Sequence, residues 1–81
     1  MNNRQVTYDN YTIGAKVALN EEGKKHMSST YHVSLFTNVI YGIIIKHDDH
    51  IMVVVDWYNH KGMKELSHRY VHMKHMEYYE Q

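Results

Sequence analysis

Two stretches rich in β-branched and aromatic residues dominate the hydrophobic pattern of the chain. They are VIYGIIIKH, residues 39–47, and HIMVVVDWY, residues 50–58. Both are apolar at successive positions near their centres, which is typical of strands that are covered on both faces. The polar residues HDDH, 47–50, lie between them, and Asp tolerates turn geometry. The pattern therefore predicts a β-hairpin with a tight turn, placed in the middle of a sheet.

A third stretch with a strand-like pattern lies nearer the N-terminus. Alternation between apolar and other residues in IGAKVAL, residues 13–19, is typical of a half-buried strand. Residues 1–11 contain few apolar side chains and show no period, which predicts a tail or a loosely attached edge. We therefore expect one domain over residues 12–81. The inward face of the first strand would carry Ile13, Ala15, Val17 and Leu19, and Ile44, Val53 and Val55 of the central hairpin should also point inward.

The segments on either side of residue 30 are less regular. NEEGKKHMSST, residues 20–30, carries four charges and no period, which predicts a loop with at most a short turn of helix. YHVSLF, residues 31–36, predicts a short strand or the returning arm of a long hairpin. Gly42, inside a strand, favours a bulge or a sharp bend. We expect no helix longer than two turns in the chain.

The last third of the chain fits two patterns. In KELSHRYVHMKHMEYY, residues 64–79, Leu66, Tyr70 and Met73 fall near helical spacing, and Met, Lys, Glu and Leu favour helix. As strands, Leu66 and Tyr70 alternate with Ser67 and Val71, and a short turn precedes MEYY. Local propensity leaves open an α+β alternative, in which a β-hairpin sheet carries a C-terminal helix.

Four short motifs follow one another along residues 12–76. They are Gly14-x-x-Val17, Gly42-x-Ile44, Val53-x-Val55-x-Trp57 and a turn at Gly62. In this order they resemble the SH3-like superfold in its KOW, Tudor and transcription-factor versions. The resemblance implies an all-β, five-stranded small barrel that ends in a strand, a short 3₁₀ turn and a final strand. Small chains with this pattern and no targeting signal also resemble phage-encoded accessory proteins.

The composition limits the classes of partner and site. Nine Lys and Arg residues balance nine Asp and Glu residues, so no overall electrostatic field draws the chain to nucleic acid. The absence of cysteine excludes disulfides and thiolate metal sites. The longest uninterrupted apolar run, residues 51–55, is too short to span a membrane. We therefore expect a soluble, cytoplasmic protein with no membrane partner.

No catalytic motif stands out. The serines lack a G-x-S-x-G context, and the four glycines are isolated, so no phosphate-binding loop is present. Asp48 and Asp49 are adjacent, and their side chains diverge in a turn instead of converging on a substrate. Asp56 is predicted to point outward into solvent. We therefore predict no enzymatic activity and no cofactor.

The eight histidines raise the question of a metal site. His68, His72 and His75 would share one face of a helix and could there bind zinc or nickel, but they would scatter on strands. His47 and His50 flank two aspartates at the hairpin turn. Solvated surface histidines explain both groups better, so we predict no metal.

Aromatic and basic residues interleave after the central hairpin, a combination that stacks on bases and holds phosphates. Trp57 shares its alternation with Val53 and Val55, which predicts a core position, whereas Tyr58 has the opposite alternation and is predicted to be exposed. The candidate binding residues after the hairpin are Tyr58, Lys61, Lys64 and Arg69, whose side chains are expected to converge on one face. Lys24 and Lys25 from the early loop are further candidates. They predict a binding module for nucleic acid or for the transcription and nucleic-acid-processing machinery.

A protein partner is the alternative. Neutral net charge and abundant Tyr, Met and His are typical of protein-interaction surfaces, whose cores are depleted in Lys and Glu. In this alternative the chain docks on a specific enzyme complex and inhibits or regulates it, as a phage-encoded host-directed inhibitor would. The sequence leaves both partner classes open and does not indicate the oligomeric state.

Overall fold

The computed structural model describes residues 5–30, 38–49 and 51–79, which form a five-stranded antiparallel sheet and one α-helix. The strands are hydrogen-bonded in the order β4-β3-β2-β1-β5. This confirms the prediction of a mostly β domain with five strands, whereas the strand predicted over residues 31–36 lies outside the described residues. The elements are β1 (Lys16–Leu19), α1 (Glu21–Thr30), β2 (Val39–Asp49), β3 (Met52–Asn59), β4 (Lys64–His72), a 3₁₀ turn (Met73–His75) and β5 (Met76–Tyr78).

The C-terminal third consists of strands, so the alternative of a C-terminal helix is wrong. β4 pairs with β3, which places Val71 opposite Val53 and Leu66 opposite Trp57. Pairing and burial against this central strand override the helical propensity of the segment. The sheet is nevertheless open: β4 and β5 are its two edges, and no pairing joins them within the described residues. The closed barrel implied by the resemblance is therefore not formed by hydrogen bonds.

The core lies on the face of the sheet that the alternation predicts. Four residues predicted to point inward are fully buried: Val17, Ile44, Val53 and Val55. Trp57 is also fully buried, which confirms its core position. The inward prediction is wrong for Ile13, which is 51% exposed. Gly14 has a positive φ of 92°, so the extended backbone begins only after it, at Lys16.

Gly42 allows the closest packing in this core. A Cβ atom at this position would lie 2.5 Å from Val55 Cγ1 and 2.7 Å from Trp57 Cε3. The irregular pairings of β2 lie on either side of Gly42, between Val39 and Tyr41 and beyond Ile44, so the predicted bulge is not at the glycine itself. The missing side chain instead makes room for the indole of Trp57 against the backbone of β2.

The segment predicted as a loop forms α1, and the expectation of no helix longer than two turns is wrong. The Asn20 side chain accepts a hydrogen bond from the Gly23 N–H at 2.7 Å, which is N-cap geometry. Met27 anchors the helix because it is buried in the core. Gly23 lies against the backbone carbonyl of His75, where a larger residue would clash. No helix in the described part of the chain is long and apolar enough to cross a membrane.

The central hairpin turns later than predicted. Asp49 pairs with Met52, so β2 includes three of the four residues that were expected to form the turn. The fourth, His50, lies outside the described residues.

The segment before β1 packs onto the end of the sheet. The Val6 N–H donates to the Met76 carbonyl at 3.3 Å, and the Gln5 side-chain amide donates to the Met73 and Met76 carbonyls at 3.0 and 2.9 Å. Val6 is buried in the core. This segment therefore contributes to the packing of β5 and the 3₁₀ turn.

Candidate functional site

Three tyrosine rings stack in a row across the sheet. Tyr41 on β2 lies opposite Tyr58 on β3, with ring centroids 5.4 Å apart and ring planes 10° from parallel. Tyr41 also stacks on Tyr79, with centroids 5.6 Å apart and planes at 25°. We call Tyr58, Tyr41 and Tyr79 the tyrosine stack. All three residues are half-buried, so part of each remains open to solvent.

The alternation of the strands places this stack on the face opposite the core. Gly42 and Trp57 are paired and buried, so their neighbours Tyr41 and Tyr58 project to the other side. Tyr79 follows β5, and its N–H donates to the Lys16 carbonyl at 3.0 Å, which holds it beside β1. The stack therefore rests on three adjacent parts of the sheet and is rigidly supported.

Lysine side chains accompany the tyrosine stack. The Lys16 Nζ lies 4.8 Å from the centroid of the Tyr41 ring, within the range of a cation–π interaction. Lys64 lies opposite Tyr58 in register, on the same face. Lys61 is exposed in the turn that follows β3. The face thus combines aromatic side chains with positive charge.

Asp56 is the feature of this face that the sequence prediction missed. It was expected to be solvated, but it is only 6% exposed. Burial opposes its ionisation, and this is outweighed by a hydrogen bond from the His68 N–H at 2.8 Å and by the Lys64 ammonium at 3.1 Å, so the pKa of Asp56 lies below its usual 3.8. In the sequence, the signal for this burial was the position of Asp56 within the apolar run VVVDW.

Asn59 organises the turn that presents Lys61. Its side-chain oxygen accepts hydrogen bonds from the N–H groups of Lys61 and Met63, at 2.9 and 3.0 Å. Its side-chain amide donates to Glu65 at 2.7 Å. Gly62 has a positive φ of 80°, a conformation that favours glycine. The backbone of the turn is therefore fixed, and the Lys61 side chain extends from it into solvent.

The six predicted site residues do not form one surface. Tyr58 and Lys64 share a face, but Lys64 is already paired with Asp56. Arg69 lies opposite Val55 in register, which places it on the core side of the sheet. Two register shifts in the β3–β4 pairing change the alternation along β4, and this separates Arg69 from Tyr58.

Lys24 and Lys25 lie on α1, where both are exposed. Lys25 lines a cleft together with His26, His72 and His75. None of the tyrosine-stack residues lines that cleft. The two lysines therefore belong to a different part of the molecule from the residues after the central hairpin.

The histidines do not form a metal site in the described part of the chain, where no group of three or more His, Asp or Glu side chains could hold a metal ion. His68 lies on β4 and is exposed, whereas His75 is buried in the 3₁₀ turn. The shared helical face that would bring His68, His72 and His75 together is not formed.

Comparisons of the chain with protein-family models, curated proteins and solved structures gave no match. Function is therefore inferred from the residues and their arrangement.

Proposed function

We propose that this chain is a non-enzymatic binding module that recognises single-stranded nucleic acid through the tyrosine stack and the lysines beside it. The observation that carries the proposal is the row of three stacked rings with Lys16 over the central one. Aromatic side chains on a sheet offer bases a flat surface, and each stacked base contributes about 1–3 kcal/mol. Cationic side chains nearby hold the phosphates.

The order of the strands supports an SH3-like scaffold whose sheet stays open between β4 and β5. A 3₁₀ turn connects β4 to β5, and β5 pairs with β1. This is the ending that the resemblance implies. Because SH3-like folds serve several kinds of binding, the tyrosine stack and not the fold favours nucleic acid as the ligand.

The distribution of charge predicts modest affinity. The net charge is zero, so attraction to phosphate comes only from local lysines. Asp56 neutralises Lys64, which leaves Lys16 and Lys61 as the cations expected to contact phosphates. We expect affinity to fall steeply with salt, because each phosphate contact releases bound counterions.

Fluorescence anisotropy with a labelled oligothymidylate at low salt tests this proposal. Tyr58→Ala should weaken binding about tenfold or more, since one stacked base is lost. Tyr8→Ala is the matched control, because Tyr8 is exposed ahead of β1, outside the stack, and should leave affinity unchanged. A duplex of the same length should bind more weakly, because its bases are already stacked. Equal effects of the two variants would contradict the proposal.

A protein partner is the second candidate, favoured by apolar residues next to the stack in sequence. Ile40 is 42% exposed and Met63 is 61% exposed. Met63 is held by Asn59 at the end of β3, and Asn59 lies opposite Val39, the neighbour of Ile40. Methionine and aromatic residues are enriched in protein interfaces. A stoichiometric partner that survives nuclease treatment and is lost with Met63→Ser would favour this candidate.

A further inference from the structure

A cleft of about 650 Å³ opens between α1 and the C-terminal part of the sheet. Its volume falls within the range of about 300–1,000 Å³ typical of small-molecule sites. Met27, Met52 and Tyr70 supply apolar surface. The titratable groups that line the cleft, besides Tyr70, are Glu22, Lys25 and His26 from α1, His72 from β4, and Lys74 and His75 from the 3₁₀ turn.

Three imidazole rings lie close together in this cleft. His26 and His75 stack with ring centroids 4.5 Å apart, and the His72 ring lies 5.7 Å from that of His75. His72 Nδ1 accepts a hydrogen bond from the Lys74 N–H at 3.0 Å, so a neutral His72 ring carries its proton on Nε2. These contacts fix the rings relative to one another.

His75 is the most deeply buried of the titratable residues that line the cleft. Its side chain is more than nine-tenths buried, with 6% exposed, and it lines the cleft. Its Nδ1 atom has no hydrogen-bond partner among the described residues. The Nδ1 atom is itself closed to the cleft, so a ligand could supply the missing hydrogen bond only if the His75 ring turned.

The charges in the cleft favour an anion. Lys25 and Lys74 outnumber the single acidic residue, Glu22. Each histidine that gains a proton adds a further positive charge. Burial, reinforced by neighbouring cations, lowers the pKa of His72 and of His75, so both rings are largely neutral near pH 7. The positive charge of the cleft therefore increases as the pH falls.

We propose that this cleft binds a small molecule bearing a phosphate, sulfate or carboxylate group, and that its histidines take up protons as the anion binds. The anion contacts the lysines and the imidazoles, while the apolar part of the ligand lies on Met52 and Tyr70. Because binding and protonation are reciprocally linked, a ligand that raises one histidine pKa by one unit binds about tenfold more tightly at low pH.

Sulfate is the probe of choice, because its charge is constant between about pH 5.5 and 7.5, where histidine titrates. Sulfate is titrated into the full chain at matched ionic strength with chloride, and backbone and imidazole resonances are followed by NMR. The proposal expects saturable shifts at His72, Lys74 and His75, and tighter binding at the lower pH. Shifts equal to those in chloride, or an affinity independent of pH, would overturn it.

Two adjacent lysines on α1 provide a matched pair of variants. Lys25 lines the cleft and Lys24 does not, although both are exposed. Lys25→Ala should weaken sulfate binding at least threefold, whereas Lys24→Ala should leave it unchanged. Equal losses of sulfate affinity in the two variants would indicate a diffuse attraction to the charges of α1 and would overturn the assignment of the cleft as the binding site.

His72→Asn tests the role of the histidines. The asparagine side chain can keep the acceptor for the Lys74 N–H but cannot be protonated in this pH range. This variant should reduce the pH dependence of sulfate binding and retain binding near pH 7, and an unchanged pH dependence would contradict proton uptake at His72. Displacement of sulfate by adenosine monophosphate supports a small ligand, whereas displacement only by the oligothymidylate would overturn that assignment.

Discussion

Gly42 packs closely against Val55 and Trp57 in the core. The indole lies where a side chain of residue 42 would be, and Trp57 is fully buried. A close approach of this kind requires glycine, since interiors are packed too densely for neighbours to shift freely. The same pair sets the alternation that projects Tyr41 and Tyr58 to the opposite face. Core packing and the candidate binding surface therefore depend on the same strand positions.

Gly42→Ala should lower the free energy of unfolding by about 1–3 kcal/mol, because the added methyl group overlaps Val55 and Trp57. Val55→Ala alone should cost a similar 1–3 kcal/mol by leaving a cavity. In the double variant the costs should be less than additive, since Val55→Ala removes one of the overlapping atoms. Chemical denaturation measures the free energy of unfolding of all three variants. Strictly additive costs would contradict the close approach of residue 42 to Val55.

At the scale of single elements, the geometry of β4 depends on a side chain of the neighbouring strand β3. Its pairing with β3 shifts between Val55 and Trp57, where three residue steps on β4, from Arg69 to Leu66, match two steps on β3. His68 lies within this bulge with a positive φ of 53°, and its N–H donates to Asp56. We infer that the buried carboxylate stabilises the bulge.

Asp56→Ala should destabilise the fold by about 1–3 kcal/mol, because the His68 N–H loses a charged acceptor. Asp56→Asn retains an acceptor oxygen and should cost less. Because the folded-state pKa of Asp56 lies below 3.8, its ionised form stabilises the fold above that pH, and the effect is lost as the pH falls through the folded-state pKa.

Urea denaturation of wild type and Asp56→Asn near pH 7 and near pH 3 measures this effect. The difference in unfolding free energy should shrink at the lower pH. A difference that stays constant would show that the charge of Asp56 contributes nothing to stability.

The elements differ in how well the sequence predicts them, and the reasons are physical. β2 and β3 are marked by apolar runs, which predict the central place of the two strands in the sheet. α1 was missed because its stability comes from the Asn20 cap and from docking of Met27, which a charged segment does not reveal. The separation of Arg69 from Tyr58 was missed because bulges in β4 depend on Asp56, a residue of another strand.

At the scale of the whole molecule, a neutral chain separates its cationic groups. Lys16 lies over the tyrosine stack, whereas three histidines line the cleft beside α1 together with Lys25 and Lys74. The two surfaces respond to different conditions, since lysine charge is constant near neutral pH and histidine charge is not.

Stability should decrease in mildly acidic solution. Burial lowers the pKa of His72 and of His75 below the ordinary 6.5. The unfolded chain therefore binds protons first, and the free energy of unfolding should fall as the pH drops from about 7.5 to 5. His72→Asn should reduce this slope, because it removes one of the two rings whose pKa is lowered in the fold. Thermal or urea denaturation in a buffer free of sulfate and phosphate measures how the free energy of unfolding depends on pH. A free energy that does not change with pH would contradict the burial of these rings.

NMR mapping of the bound surface tests the central claim most directly. Oligothymidylate is titrated at low salt into the full, isotope-labelled chain, and the backbone amide shifts are followed. We predict that the largest saturable changes occur at Tyr41, Tyr58 and Tyr79, with smaller ones at Lys16 and Lys61. No binding at low salt, or changes confined to α1 and the 3₁₀ turn, would contradict recognition of single-stranded nucleic acid by the tyrosine stack.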